Sequence, residues 1–271
     1  MSDFGIRQGV TAVERLRTYG GSLFAADRHL GRLAATTQEL RIDGLPSEKA
    51  MIQLIDDLLL RNADFVKQQG DVGVTVIATP GDRVDASSTS TLAMHLNAID
   101  LDTMRRRQQD GQPIVMTDVQ QPPAASWSRQ IKVRCRIHYY RADIVAKQMN
   151  DTATGVLIDN DGSVTESSIA NLAIVESGTI VSPESLQVLG GVTQSVVQDI
   201  AAELGIDWRH ARLTPHRVLA ADEILLMGTD GGLWWGWDAL AANSKGGKSA
   251  GPKSGEMYRK LRRRFNEITS A

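Results

Sequence analysis

Val156–Val175, VLIDNDGSVTESSIANLAIV, is the stretch on which the reading of this chain turns. Asp159, Asn160, Asp161 and Gly162 separate two apolar runs, and an Asx/Gly cluster so placed signals a hairpin. The second arm carries Thr165-Glu166-Ser167-Ser168 and then Asn171, where a plain core strand stays apolar. A carboxylate flanked by hydroxyls is poorly placed there for stability alone. Two readings stand side by side: a solvated bend with a surface glutamate, and a functional carboxylate.

The bulk properties narrow the setting. The chain has 271 residues, 42% hydrophobic and 23% charged, with a formal net charge of −2. Such a balance supports a sizeable core, and no global field draws the chain to nucleic acid or to a membrane surface. A single cysteine, Cys135, excludes an internal disulfide and fits a reducing compartment. MSDFGIRQGV at the start has no apolar core of a signal peptide. No apolar run is long enough to span a bilayer. The expected setting is the cytoplasm.

Outward from the hairpin, apolar spacing predicts helices opening at Asp27 and at Pro46-Ser47 (to about residue 68). Val72–Ala78 and Leu92–Leu96 read as strands, and 84–91 as a polar loop. Val119–Ala125, VQQPPAA, reads as an extended connector, giving domains over 1–120 and 126–271. Ile131, Val133, Cys135 and Ile137 alternate with Lys132, Arg134 and Arg136, which predicts a strand with a basic face. A helix follows over Tyr139–Gln148. Gly190-Gly191-Val192-Thr193 leads into a helix over Gln194–Leu204, and Asp222–Met227 reads as a strand before Gly228-Thr229-Asp230-Gly231-Gly232. A loop over Lys245–Gly251 precedes a basic helix over 252–268. Mixed sheets and helices place the chain in the α/β (α+β) class, in two halves.

Two turns have the chemistry to cradle an anion. At Gly190–Thr193, a helix start supplies free amide donors and the positive end of the helix dipole. Gly228-Thr229 adds a hydroxyl after a strand, although Asp230 beside it repels a phosphate. Each also reads as an ordinary glycine turn. Arg32 reads equally as a solvated helix residue. Lys132, with Arg134 and Arg136 on the same strand face, has the cationic surroundings that lower a lysine pKa, or belongs to a basic face paired with carboxylates. The five histidines show no metal-ligand spacing. Trp234, Trp235 and Trp237 read either as a pocket lining or as core.

Taken in order, these pieces resemble the class IV aminotransferases, the pyridoxal-phosphate enzymes of fold type IV, over nearly the whole chain. Gly9–Arg17 and Gly20-Gly21-Ser22-Leu23-Phe24 are similar to the family's opening, and His29-Leu30-Gly31-Arg32-Leu33 to its phosphate-arginine segment. Val164–Ser168 with Asn171 resembles the glutamate segment. Leu189–Thr193 resembles the phosphate helix start, and Ala221-Asp222-Glu223 with Gly228-Thr229 the last phosphate turn. The resemblance implies a two-domain fold whose small N-terminal domain lacks the family's first strands. Its cofactor is pyridoxal 5'-phosphate and its substrates are a small amino acid and a keto acid, handled by a homodimer. In that frame Arg32, the amides of Val192 and Thr193, and Thr229 hold the phosphate. Leu189 lies against the ring, and Glu166 meets the ring nitrogen. Lys132 is the Schiff-base lysine and the base for the α-proton.

The lysine has two registers. Lys132 stands 166 − 132 = 34 residues before Glu166, as in branched-chain members, with Ala142 and Ala146 at matching helix positions. A shifted register matches Tyr140 and Ala146-Lys147-Gln148 to other relatives, puts Arg136 in the lysine's place (166 − 136 = 30) and leaves no lysine. Arg7-Gln8-Gly9, Pro80 and Asp230-Gly231-Gly232 also depart from the family pattern. The activity implied is amino acid transamination. The alternatives are a lyase of the aminodeoxychorismate type and a non-catalytic cofactor- or ligand-binding relative.

Overall fold

The structure, a computed structural model, describes residues 2–82, 89–240 and 253–270. The expected loop over Lys245–Gly251 lies outside the described residues, as does 84–88 of the polar loop. Two compact units emerge: one runs up to Asp100 and includes Gln130–Cys135, the other holds Leu101–Arg129 and Arg136–Thr269. No described helix is long and apolar enough to cross a membrane.

Unit 1 contains α1 (Phe4–Gln8), β1 (Ala12–Tyr19), β2 (Ser22–Leu23), α2 (Ala26–Glu39), α3 (Glu48–Arg61), α4 (Ala63–Gln69), β3 (Val72–Thr79) and β4 (Thr91–Ala98). Its sheet has the order β2-β1-β3-β4, antiparallel throughout. Leu16, Val74 and Val76 on the sheet pack with Leu30 and Leu33 of α2 and Met51 and Ile55 of α3. Ser47 caps α3 by accepting from the Ala50 N–H at 3.3 Å. The single helix expected over 47–68 is two, divided at Asn62. The Asn62 side chain donates back to the Leu58 carbonyl at 2.8 Å, a local bond that competes with helix continuation.

Unit 2 contains α5 (Leu101–Asp110), β5 (Gln112–Gln120), α6 (Ile137–Met149), β6 (Thr154–Ile158), β7 (Val164–Ser167), β8 (Asn171–Glu176), β9 (Thr179–Ser182), α7 (Val192–Glu203), β10 (Trp208–His210), α8 (Pro215–Leu219), β11 (Glu223–Gly228), β12 (Gly232–Asp238) and α9 (Glu256–Thr269). The strand order is β10-β9-β8-β11-β12-β5-β6-β7, and β7 also pairs with β8. That last pairing closes six strands, β8, β11, β12, β5, β6 and β7, into a ring. A core of Ile114, Val156, Leu172, Ile174, Leu226 and Trp234 is packed in this unit.

Two expectations give way to the observed fold, and a third difference is an omission. The connector expected at Val119–Ala125 falls inside unit 2, because β5 pairs in parallel with both β6 and β12. Arg129 then fastens the segment after β5, forming two bonds to Asp159 (2.6 and 2.9 Å) and donating to the Pro122 carbonyl. Second, Ile131–Ile137 is not a strand. Only a bridge forms at Ala12–Val133, flanked by Val13 N–H to the Lys132 carbonyl (2.9 Å) and Arg134 N–H to the Thr11 carbonyl (3.2 Å). The chain then enters α6 at Ile137. Third, α5 and β5 had no counterpart in the sequence reading. LDTMRRRQQD of α5 offers no apolar stripe to read.

Candidate functional site

The hairpin stretch folds as β6, a turn, then a second arm that breaks in two. Ser167 makes the break: its N–H and Oγ both donate to the Ala170 carbonyl (3.0 and 3.2 Å), and its Oγ accepts from the Ala170 N–H at 3.1 Å. Thr165 Oγ1 donates to the Leu157 carbonyl at 3.1 Å. Ser167 thus holds the chain's reversal, and Thr165 ties β7 to β6. That reversal sets Glu166 opposite Asn171 in the one β7–β8 pair that closes the ring.

Glu166 is buried, at 5% exposure, which excludes the surface-glutamate reading. Its Oε1 accepts from the Tyr139 hydroxyl at 2.6 Å and from Gln121 Nε2 at 3.3 Å. Its Oε2 accepts from Asn171 Nδ2 at 2.9 Å and from the Leu189 N–H at 3.3 Å. A buried carboxylate needs such donors to remain charged. Burial and then the Glu166 charge push the Tyr139 hydroxyl well above its ordinary pKa of 10.0, so Tyr139 stays a donor.

Asn171 links this carboxylate to the start of α7. Its Nδ2 also donates to the Leu189 carbonyl at 2.9 Å. A Cβ on Gly191 would collide with Asn171 Oδ1, so only glycine lets the two meet. Gly191 begins α7 with no side-chain cap, and the first amides of a helix have no intrahelical acceptor. Val192 and Thr193, at 5% exposure each, stand in that buried first turn. Gly228 opens the β11–β12 turn, where a Cβ would collide with the Ile169 carbonyl oxygen, and half-buried Thr229 follows it.

Arg136 stands at the N-terminal cap of α6. Its guanidinium donates to the Ser168 carbonyl and lies 4.4 Å from the centre of the Tyr139 ring. The Ser168 hydroxyl is buried and makes no hydrogen bond. A cavity of about 470 Å³ in unit 2 is lined by Ser168, Gln112, Arg106, Arg107, Lys147 and Trp237, among others. Trp237 Nε1 and Gln112 Oε1 are likewise buried without partners. The tryptophans therefore divide: Trp234 and Trp235 are core, at 1% and 4% exposure, and Trp237 faces the cavity.

Arg32 and Lys132 belong to unit 1. Arg32 forms two bonds to the fully buried Glu14, 2.9 Å from Nε and 2.7 Å from Nη2, and His29 Nδ1 lies 3.0 Å from the same carboxylate. Burial raises the Glu14 pKa, but the Arg32 charge and the bonds from His29 and Arg32 outweigh it and bring it to about 2. Lys132 donates its N–H to Thr36 Oγ1 at 3.1 Å. Burial lowers the His29 pKa, and the Arg32 and Lys132 charges add to that against the raising effect of Glu14. The sequence reading missed Glu14, Tyr139 and Gln121. Glu14 alone left a trace, as a carboxylate within the β1 run AVERLRTY.

The closed strand ring and the buried carboxylate beside a glycine-led helix start fit the fold type IV class that the resemblance implies. Residues 11–235 match the model of the amino-transferase class IV family, and the chain belongs to that family. An aminodeoxychorismate lyase of Bacillus subtilis is 25% identical over 82% of this chain and 74% of its own length. A D-alanine aminotransferase of Bacillus licheniformis is 24% identical over 84% and 78%. Among solved structures, the PLP form of a branched-chain amino acid aminotransferase from Thermobaculum terrenum superposes with a TM-score of 0.80, at 18% identity over 99% of this chain and 88% of that one.

Proposed function

We propose that the chain is a pyridoxal-phosphate-dependent transaminase, moving an amino group between an amino acid and a 2-keto acid, and that it works as a cytoplasmic homodimer. The buried Glu166, with four donors on its carboxylate, is the observation that carries this reading. The residues fit the cofactor. Glu166 suits a protonated ring nitrogen, Leu189 is held beside it, and the first turn of α7 with Thr229 offers donors to a phosphate. When bound, the cofactor supplies an electron sink for charge at the substrate's α-carbon. Glu166 keeps the ring nitrogen protonated by a charge-assisted hydrogen bond. Arg32, as a phosphate ligand, and Lys132, as the group that takes and returns the α-proton, enter through the family resemblance alone.

A second reading, cofactor binding without attachment to a lysine, is favoured by the place of Arg136 on α6. Incubating cofactor-loaded protein with L- and D-amino acids separates the activities. A transaminase converts the cofactor to its amine form and yields the matching keto acid, whereas a lyase releases pyruvate from its substrate. No spectral change with any amino donor would sink the transaminase proposal.

A further inference from the structure

We infer that Arg136, not Lys132, is the cation that works beside Glu166, and that the chain holds pyridoxal phosphate by ionic and hydrogen bonds alone. The inference rests on the proposed cofactor, keeps the role of Glu166, and replaces the lysine role that the family resemblance gives to Lys132.

Lys132 is fastened into unit 1 at both backbone groups: its carbonyl accepts from the Val13 N–H at 2.9 Å, and its N–H donates to Thr36 Oγ1 at 3.1 Å. Its charge acts on His29, which lies 3.0 Å from the Glu14 carboxylate. Arg136, four residues on, is fastened into unit 2 instead. It heads α6, bonds the Ser168 carbonyl two residues past Glu166, and lies over the ring of Tyr139, whose hydroxyl donates to Glu166. Arg136 is therefore joined to the carboxylate through a single intervening side chain.

The chemistry of the two cations differs in kind. A lysine loses its proton readily when buried and then attacks a carbonyl carbon. A guanidinium keeps its proton throughout the physiological range and presents a flat fork of donors that matches a carboxylate or phosphate. Arg136 can hold an anionic group of the cofactor or of its amino acid substrate, but it cannot bond to the cofactor's aldehyde carbon. The absence of a covalent tether makes loading reversible, so the cofactor should leave during gel filtration.

Borohydride trapping tests this directly. The wild-type protein is mixed with no more than one equivalent of pyridoxal phosphate, bound cofactor is measured by quenching of tryptophan fluorescence, and the mixture is reduced and mapped by peptide mass spectrometry. The expected result is saturable binding with no phosphopyridoxyl group on Lys132. A group on Lys132 overturns the inference and leaves the cofactor reading standing. No binding at all overturns both. In Arg136→Lys, the same treatment should place the group on position 136. A folded, cofactor-binding variant without it also overturns the assignment.

Discussion

At the residue scale, the candidate site rests on how a few buried polar groups are satisfied. Tyr139→Phe takes from Glu166 Oε1 its 2.6 Å donor and leaves the longer bond from Gln121 at 3.3 Å. A buried acceptor robbed of its better donor costs about 1–3 kcal/mol, and urea unfolding should show a loss of that size. The same tyrosine should ionise only at pH values well above its ordinary 10.0, as read by ultraviolet titration against the Phe variant. Glu14 gives a second test. Glu14→Gln removes the charge that Arg32 meets with two bonds, and breaking a buried pair costs about 3–5 kcal/mol. The sign with pH follows from its pKa of about 2 against an ordinary 4.5. The folded form binds the proton less readily than the unfolded one, so Glu14's contribution is complete above 4.5 and is lost as the pH falls toward 2. Unfolding midpoints measured between those values should fall with acid more steeply in the wild type than in the variant.

At the scale of the element, two glycines fix how segments approach one another. A Cβ at Gly191 meets the Asn171 side chain, and one at Gly228 meets the backbone carbonyl of Ile169. Overpacking a close contact costs about 1–3 kcal/mol. Gly191→Ala should also weaken cofactor binding, because Asn171 is a donor to Glu166, and Gly228→Ala should cost stability with less relief, since backbone cannot swing aside. Thermal unfolding and fluorescence titration of both variants check this. Much at this scale was legible: the Asx/Gly turn of the hairpin, the glycine-led start of α7 and the Ser47 cap all declare themselves by residue type. What the sequence hid was set by tertiary contacts. The alternation over Ile131–Ile137 has a strand period, yet only Val133 finds a bridge partner. VQQPPAA has the composition of a connector, yet Arg129 and the strand pairs of β5 hold that region in unit 2.

For the whole molecule, the family was legible because five short motifs fall in order along the chain, while the wiring of the site was not. That the Tyr139 hydroxyl reaches Glu166 depends on the position of α6, which no local pattern encodes. The spacing of Lys132 from Glu166 agrees with that of branched-chain members, and Lys132 is folded into unit 1. The pairing of Glu166 with Asn171 closes the strand ring, so the fold and the proposed site share the same residues. Titration of the purified protein with pyridoxal phosphate, followed by tryptophan fluorescence and absorbance, tests that claim most directly. The predicted result is saturable uptake of one cofactor per chain, weakened about tenfold or more in Glu166→Gln, as expected for a lost bond to a charged group. Uptake that is absent, or equal in the variant, would contradict it.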